Sequence, residues 1–88
     1  MSIANLHDSG AEASLLGAMM LRGSVVELAA QHLVAGDFYK PAHARTFNAC
    51  LDLLSAGHAI DAKTVAGQLG ADGIEAIGGT ANLLTWIS

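Results

Sequence analysis

The residues of this chain whose types could carry chemistry are four histidines (His7, His32, His43 and His58), one cysteine (Cys50) and the run Asp61-Ala62-Lys63-Thr64. Metal capture on a helix needs two imidazoles at i and i+4, which puts both on one face, and no two of these histidines stand at that spacing. A lone thiol excludes an intrachain disulfide and leaves too few sulfur ligands for the Cys-rich zinc patterns. Cys50 follows His43 by two helical turns, or roughly 10 Å of rise, which is adverse for a thiolate–imidazole pair. Cys50 is therefore expected to be a small core residue, and His43 a core or half-buried histidine donating to a backbone carbonyl. Phosphate cradling needs a Gly-rich loop ending in Gly-Lys-Ser or Gly-Lys-Thr, and here Ala62 stands where the glycine must be. Asp61 and Thr64 are explained more simply as a helix cap than as polar chemistry. The reading is of a chain with no catalytic, cofactor-binding or metal site.

At 88 residues the chain is one domain by length. Hydrophobic residues make up 52% and charged ones only 14%, an apolar surplus that fits either a buried partner surface or alanines that pack helices closely. The net charge is −4, and the four cations Arg22, Lys40, Arg45 and Lys63 are dispersed. Phosphate neutralisation needs clustered cations, so the domain alone is expected to bind DNA poorly. For the same reason a helix-turn-helix DNA binder is disfavoured, there being no basic recognition helix. No apolar run approaches the ~20 residues that span a bilayer. The first ten residues lack the basic flank and apolar run of a signal peptide, so the expected location is the cytoplasm.

The elements that must position these residues read as helices throughout. Ser9-x-x-Glu12 and Ser24-x-x-Glu27 fit the capping box and predict helices beginning just after Ser9 and Ser24. The first carries Leu15, Leu16, Met19 and Met20 and ends near Arg22-Gly23, where glycine suits a left-handed cap. The second places Val26, Ala29, Ala30 and Leu33 on one face and is expected to pack antiparallel on the first. Gly36-Asp37 breaks it, and the adjacent aromatics Phe38 and Tyr39 are expected to wedge the following loop into the core. Pro41 opens a helix to about Ala56, with Phe47, Cys50, Leu51 and Leu54 on its apolar stripe and His43 and Ala44 extending it. This helix is expected to be the central one, closed by Gly57.

Asp61 caps a shorter helix with Val65 and Leu69, which ends at Gly70. Asp72-x-x-Glu75 caps a further turn holding Ile74 and Ile77, and Gly78-Gly79 breaks that turn before a last segment with Leu83, Leu84, Trp86 and Ile87. No stretch shows sustained period-2 alternation. The predicted fold class is all-α, a small antiparallel helical bundle of about five to six short helices, with residues 1–10 as an N-terminal arm and 11–88 as the helical domain. The opening residues read as a true N-terminus. The last amphipathic segment stops at Ser88 without a C-cap signal, which fits a cut from a longer protein or a helix that docks on a partner. Met19, Met20 and Trp86 are the candidate interface residues.

The order and spacing of Ala11-Glu12-Ala13, Leu15-Leu16-Gly17-Ala18, Leu33, Gly36-Asp37-Phe38-Tyr39, His43, Phe47, Leu51, Leu54, Gly57, Ile60-Asp61, Thr64, Val65, Leu69 and Ile77-Gly78-Gly79 resemble the N-terminal domain of DnaB-type replicative DNA helicases. The resemblance runs from about Glu12 to Leu84. It singles out Asp37, Phe38, Tyr39, His43, Phe47, Leu51, Asp61, Thr64, Gly78 and Gly79 as motif residues of structural rather than catalytic role. It implies a non-catalytic helical collar, in which domains pair and the pairs sit about a three-fold axis of a hexamer. The implied partners are other helicase subunits, primase and the helicase loader. A helical hairpin, a linker and a RecA-like motor would follow in the parent protein, and ATP, Mg and DNA would be engaged there. A free-standing phage or plasmid adaptor that imitates the collar and binds a host helicase is the alternative.

Overall fold

The computed structural model describes residues 9–87. The expected arm falls almost wholly outside them, as do His7, the Ser9 side chain and Ser88. Five helices follow one another: α1 (Ser9–Leu21), α2 (Gly23–Ala30), α3 (Pro41–Ser55), α4 (Ala62–Ala76) and α5 (Thr80–Ile87), with a 3₁₀ turn at Ala35–Asp37 before α3. There is no strand among the described residues.

Local chemistry explains most of the helix ends. Pro41 occupies the first turn of α3, where its missing N–H costs nothing. At the other end Gly57 takes φ 75°; its N–H donates to the Leu54 carbonyl at 3.1 Å while His58 N–H donates to Leu53 at 3.0 Å, the two bonds of a Schellman cap. The same pair of bonds recurs after α4, from Gly78 to Glu75 at 3.1 Å and from Gly79 to Ile74 at 2.8 Å, with Gly78 at φ 92°. Asp61 caps α4: its carboxylate accepts the Thr64 N–H at 2.8 Å, and the Thr64 hydroxyl accepts the Asp61 N–H at 2.9 Å. The Asp37 carboxylate closes the 3₁₀ turn by accepting the Val34 N–H at 2.9 Å.

Three expectations are corrected at this level: the start of α2, the conformation of Gly23 and the cap at Asp72. α2 begins at Gly23, with Arg22 in an extended conformation as its cap residue, so Ser24 lies inside the helix and makes no capping box with Glu27. Gly23 is not left-handed; the single extended residue Arg22 makes the break between α1 and α2. Gly70 (φ 71°, ψ 178°) is non-helical and breaks α4 into two helical segments where the sequence placed the break, but Asp72 sits inside the second segment rather than at its cap. α3, expected to be central, packs against α1, α2, α4 and the 3₁₀ turn, and α1 packs against α2, α3, α4 and α5.

The core gathers Leu16, Met19 and Met20 of α1, Val26 and Ala29 of α2, Phe47, Cys50 and Leu53 of α3, Val65 and Leu69 of α4, and Leu83 of α5, with Leu33, Phe38 and Ile77 from the connections. Phe38 lies on Phe47 with ring centroids 4.8 Å apart. Tyr39 is the exception to the expected aromatic wedge, since its ring is 73% exposed. On α3 the buried arc holds His43, Thr46, Phe47, Ala49, Cys50 and Leu53, while Leu51 and Leu54 are half-buried. α1, α2 and α4 pack against α3, and Leu51 and Leu54 lie at the edge of the buried arc. Ala30, expected on the inner face of α2, is exposed at the helix end.

Candidate functional site

One polar cluster lies inside this apolar bundle. Glu12 is wholly buried, one helical turn before Leu16 and on the same stripe as Met19 and Met20. Its carboxylate reaches the start of α3, where it accepts the N–H of Tyr39, the N–H of Lys40 at 3.3 Å and Nδ1 of His43 at 2.7 Å. An ionised carboxylate only accepts, so Nδ1 carries the proton of this bond. Lys40 and Pro41 provide no side-chain cap of their own, so the carboxylate of α1 serves as the cap of α3, placed where the helix dipole favours an anion. Sequence spacing had suggested a different job for Glu12, a local bond back to the Ser9 N–H.

The electrostatics follow from that geometry. Burial by itself pushes the Glu12 carboxyl up, but the Tyr39 N–H, the His43 ring, the Lys40 N–H and the His43 charge together outweigh it and hold the group below the usual carboxylate value. The His43 ring meets the Trp86 ring of α5 edge-on, with centroids 5.1 Å apart and planes at 81°. Glu12, His43 and Trp86 thus tie α1, α3 and α5 into one line of contact. His43 donates to a carboxylate rather than to the backbone carbonyl expected from sequence.

Chemically the cluster is a clamp. A carboxylate–imidazole pair becomes a catalytic dyad only when a nucleophile is in reach. The nearby Thr46 hydroxyl is spent on the Ala42 carbonyl at 2.9 Å. The Cys50 thiol is buried and pushed up to about 12 by desolvation, which keeps it protonated and unreactive. Among the described residues no group of three or more His, Cys, Asp or Glu could hold a metal ion.

The motif residues selected from the sequence therefore divide by role. Asp37, Asp61, Thr64, Gly78 and Gly79 shape turns and helix ends; Phe38, His43 and Phe47 are buried, and Leu51 lies at the edge of the core. Tyr39 contributes its backbone N–H to Glu12 and leaves its ring outside. Of the candidate interface residues, Met19 and Met20 are corrected. Met19 and Met20 are both buried within the monomer, and Trp86 is half-buried against His43. Glu12, Thr46 and Leu53 were missed as core residues. For Glu12 the signal was present in its i, i+4, i+7, i+8 spacing with Leu16, Met19 and Met20.

An apolar core of five helices holding one buried carboxylate–imidazole clamp defines the class of small all-helical domains. The comparisons narrow that class. The family model of the DnaB-like helicase N terminal domain matches residues 4–88, and the chain belongs to that family. It is 43% identical over 82 residues to the replicative DNA helicase DnaB of Mycobacterium leprae, covering 92% of this chain and 14% of that protein. It is 38% identical over 74 residues to the replicative DNA helicase DnaC of Bacillus subtilis, covering 83% of this chain and 16% of that protein. The crystal structure of the N-terminal domain of DnaB helicase from Mycobacterium tuberculosis shares the fold with a TM-score of 0.86 at 42% identity, over 91% of this chain and 56% of that one. The chain thus spans 14% and 16% of the two helicases it matches. No helix among the described residues is long and apolar enough to cross a membrane.

Proposed function

We propose that this chain is the non-catalytic collar segment of a cytoplasmic replicative DNA helicase, organising subunits and docking primase or a helicase loader. The observation that carries the reading is the match over residues 4–88 to a helicase N-terminal domain family. Its site chemistry agrees, because the buried carboxylate and imidazole stabilise a helix junction and Cys50 is held as a thiol. ATP and Mg would be bound by a motor domain elsewhere in the parent protein, which would unwind duplex DNA 5′ to 3′. The dispersed cations and acidic balance of this segment favour protein partners over direct DNA contact.

The test is a transplant. These residues replace the corresponding amino-terminal segment of the Bacillus subtilis helicase, and ring assembly and primase-stimulated unwinding are compared with a motor lacking the segment altogether. Recovery of hexamers by sedimentation, with unwinding that responds to primase, is the expected result. A chimera that assembles and unwinds no better than the truncated motor would overturn the reading.

A further inference from the structure

After the break at Gly70 the chain returns, so that α5 lies against the first segment of α4. The two helices leave an open groove of about 320 Å³ between them, lined by Ala62, Lys63 and Ala66 of α4 and by Thr80, Leu83 and Leu84 of α5. Small residues make the room: Ala62 and Ala66 are half-buried on one wall, Leu83 is buried at the base, and Leu84 stands 62% exposed on the other wall.

The groove carries a single charge. Lys63 is exposed and makes no ion pair among the described residues. Its neighbours three and four positions away, Ala59, Ile60, Ala66 and Gly67, are all uncharged. The nearby Asp61 carboxylate is turned to the Thr64 N–H as a cap, and α5 has no charged residue from Thr80 to Ile87. In a chain of net charge −4, the groove is an apolar surface with one uncompensated ammonium group at its rim.

The walls select the occupant. A small ligand needs several convergent polar groups to orient it, and only Lys63 and Thr80 are polar here. Adding a peptide strand needs a sheet edge, and there is no strand among the described residues. A Pro-rich segment needs aromatic walls and a phosphorylated one a cluster of arginines, and the lining has neither. A second copy seated two-fold on the same groove would bring Lys63 toward the partner's Lys63, like charge to like. What fits is a helix laid between two helices, with apolar side chains at i, i+3, i+4 and i+7 for Ala66, Leu83 and Leu84 and a carboxylate on its flank for Lys63.

We propose that the α4–α5 groove docks an amphipathic acidic helix of a partner protein, with Lys63 pairing to its carboxylate. The proposal rests on the reading of the chain as a docking segment and names the surface and the kind of partner. The net negative charge of the domain disfavours such a helix elsewhere, so Lys63 fixes both its place and its register.

The test uses an acetylated, amidated alanine-based peptide of about 16 residues, with leucines at i, i+3, i+4 and i+7 and glutamates on one flank, and a twin with glutamine for every glutamate. Each is titrated to near-millimolar concentration into the isotope-labelled 88-residue chain while backbone amide shifts are followed, with Lys63→Glu and Leu84→Ser alongside. Both altered side chains are exposed, and unchanged thermal midpoints check that the fold stands. The glutamate peptide should saturably shift the amides of residues 62–66 and 80–84 and bind about threefold to fivefold more tightly than its twin. Lys63→Glu should invert that preference, and Leu84→Ser should weaken both peptides roughly tenfold. Absence of saturable binding, shifts centred elsewhere, equal affinities for the two peptides, or a preference unmoved by Lys63→Glu overturns the proposal. Groove shifts that grow with protein concentration in the absence of peptide also overturn it, giving the groove to a second copy. The helicase transplant separates this failure from that of the collar reading: a chimera that assembles and responds to primase while the peptides fail to bind removes only this groove. Peptides that bind with the expected charge preference, beside a chimera that fails, keep the groove and remove the collar.

Discussion

Glu12 is the residue on which the architecture turns. A wholly buried carboxylate is costly unless its oxygens are paired and hydrogen-bonded, and here donors from Tyr39, Lys40 and His43 meet it from a segment 27 to 31 positions away. Replacing it by glutamine keeps the shape and removes the charge, which converts charge-assisted bonds to ordinary ones and turns an amide NH₂ toward other donors. Glu12→Gln should therefore lower the unfolding free energy by about 2 kcal/mol in urea titrations. The pH dependence has a definite sign, because the folded-state value of Glu12 lies below its ordinary one. The ionised group's contribution is fully present above the unfolded value of ~4.3 and is lost as pH falls through the folded value. As the pH falls below the unfolded value of ~4.3, the unaltered protein should lose stability faster than Glu12→Gln, and parallel acid profiles would show that the charge does not hold the junction. The helix position of Glu12 was legible in the sequence, and its placement on the Leu16 stripe could have been read there. Its partners could not, since a backbone N–H carries no residue-type signature and the loop that supplies two of them is distant along the chain.

At the scale of elements, the helix ends that the sequence announced are those whose chemistry is local. Pro41, Gly57, Asp61 and Gly78 each act within a few residues of themselves, and each sits where its type predicts. The start of α2 was misread because Ser24-x-x-Glu27 satisfies a local rule that a single extended residue, Arg22, pre-empts two residues earlier. The crossing of α1 and α5 was invisible for the opposite reason, being a contact between distant segments. There Gly17 admits the backbone of α5: a Cβ on Gly17 would stand 1.8 Å from the Trp86 carbonyl oxygen and 2.7 Å from its carbon. Backbone atoms cannot step aside as a flexible side chain would, so Gly17→Ala should displace the end of α5 and cost about 2 to 3 kcal/mol, in the upper range for overpacking. Trp86 is the one tryptophan of the chain and reports directly on the outcome. Its emission should shift toward that of a solvated indole as its edge contact with His43 is lost. Unchanged emission and an unchanged midpoint would mean that α5 does not bear on α1 at this point.

For the whole molecule, the all-helical class followed from hydrophobic period and turn chemistry, whereas the exact facing of α3 depended on which helices flank it. The stripe read from sequence runs through His43, Phe47, Cys50, Leu51 and Leu54; the observed arc keeps His43, Phe47 and Cys50, adds Thr46, Ala49 and Leu53, and leaves Leu51 and Leu54 half-buried, with α1, α2 and α4 packed against α3. The difference has an energetic consequence that a truncation series can rank. Phe47 is fully buried and packs on Phe38, so Phe47→Ala should cost roughly 3 to 5 kcal/mol. Leu53, 5% exposed, should lose about 2 to 4 kcal/mol on truncation to alanine. Leu51, at the edge of the arc, already keeps part of its surface in water and should lose only about 1 to 2 kcal/mol. Since a domain of this size has a total stability toward the low end of roughly 5 to 15 kcal/mol, Phe47→Ala should leave a measurable unfolded fraction even without denaturant. Urea midpoints falling in the order Leu51→Ala, Leu53→Ala, Phe47→Ala from mildest to most severe would establish the enclosed arc as the one that bears the core. If Leu51→Ala proved as damaging as Leu53→Ala, α3 would have to be rotated in solution toward the stripe its own sequence suggests, and the seat of α4 against it would have to shift with it.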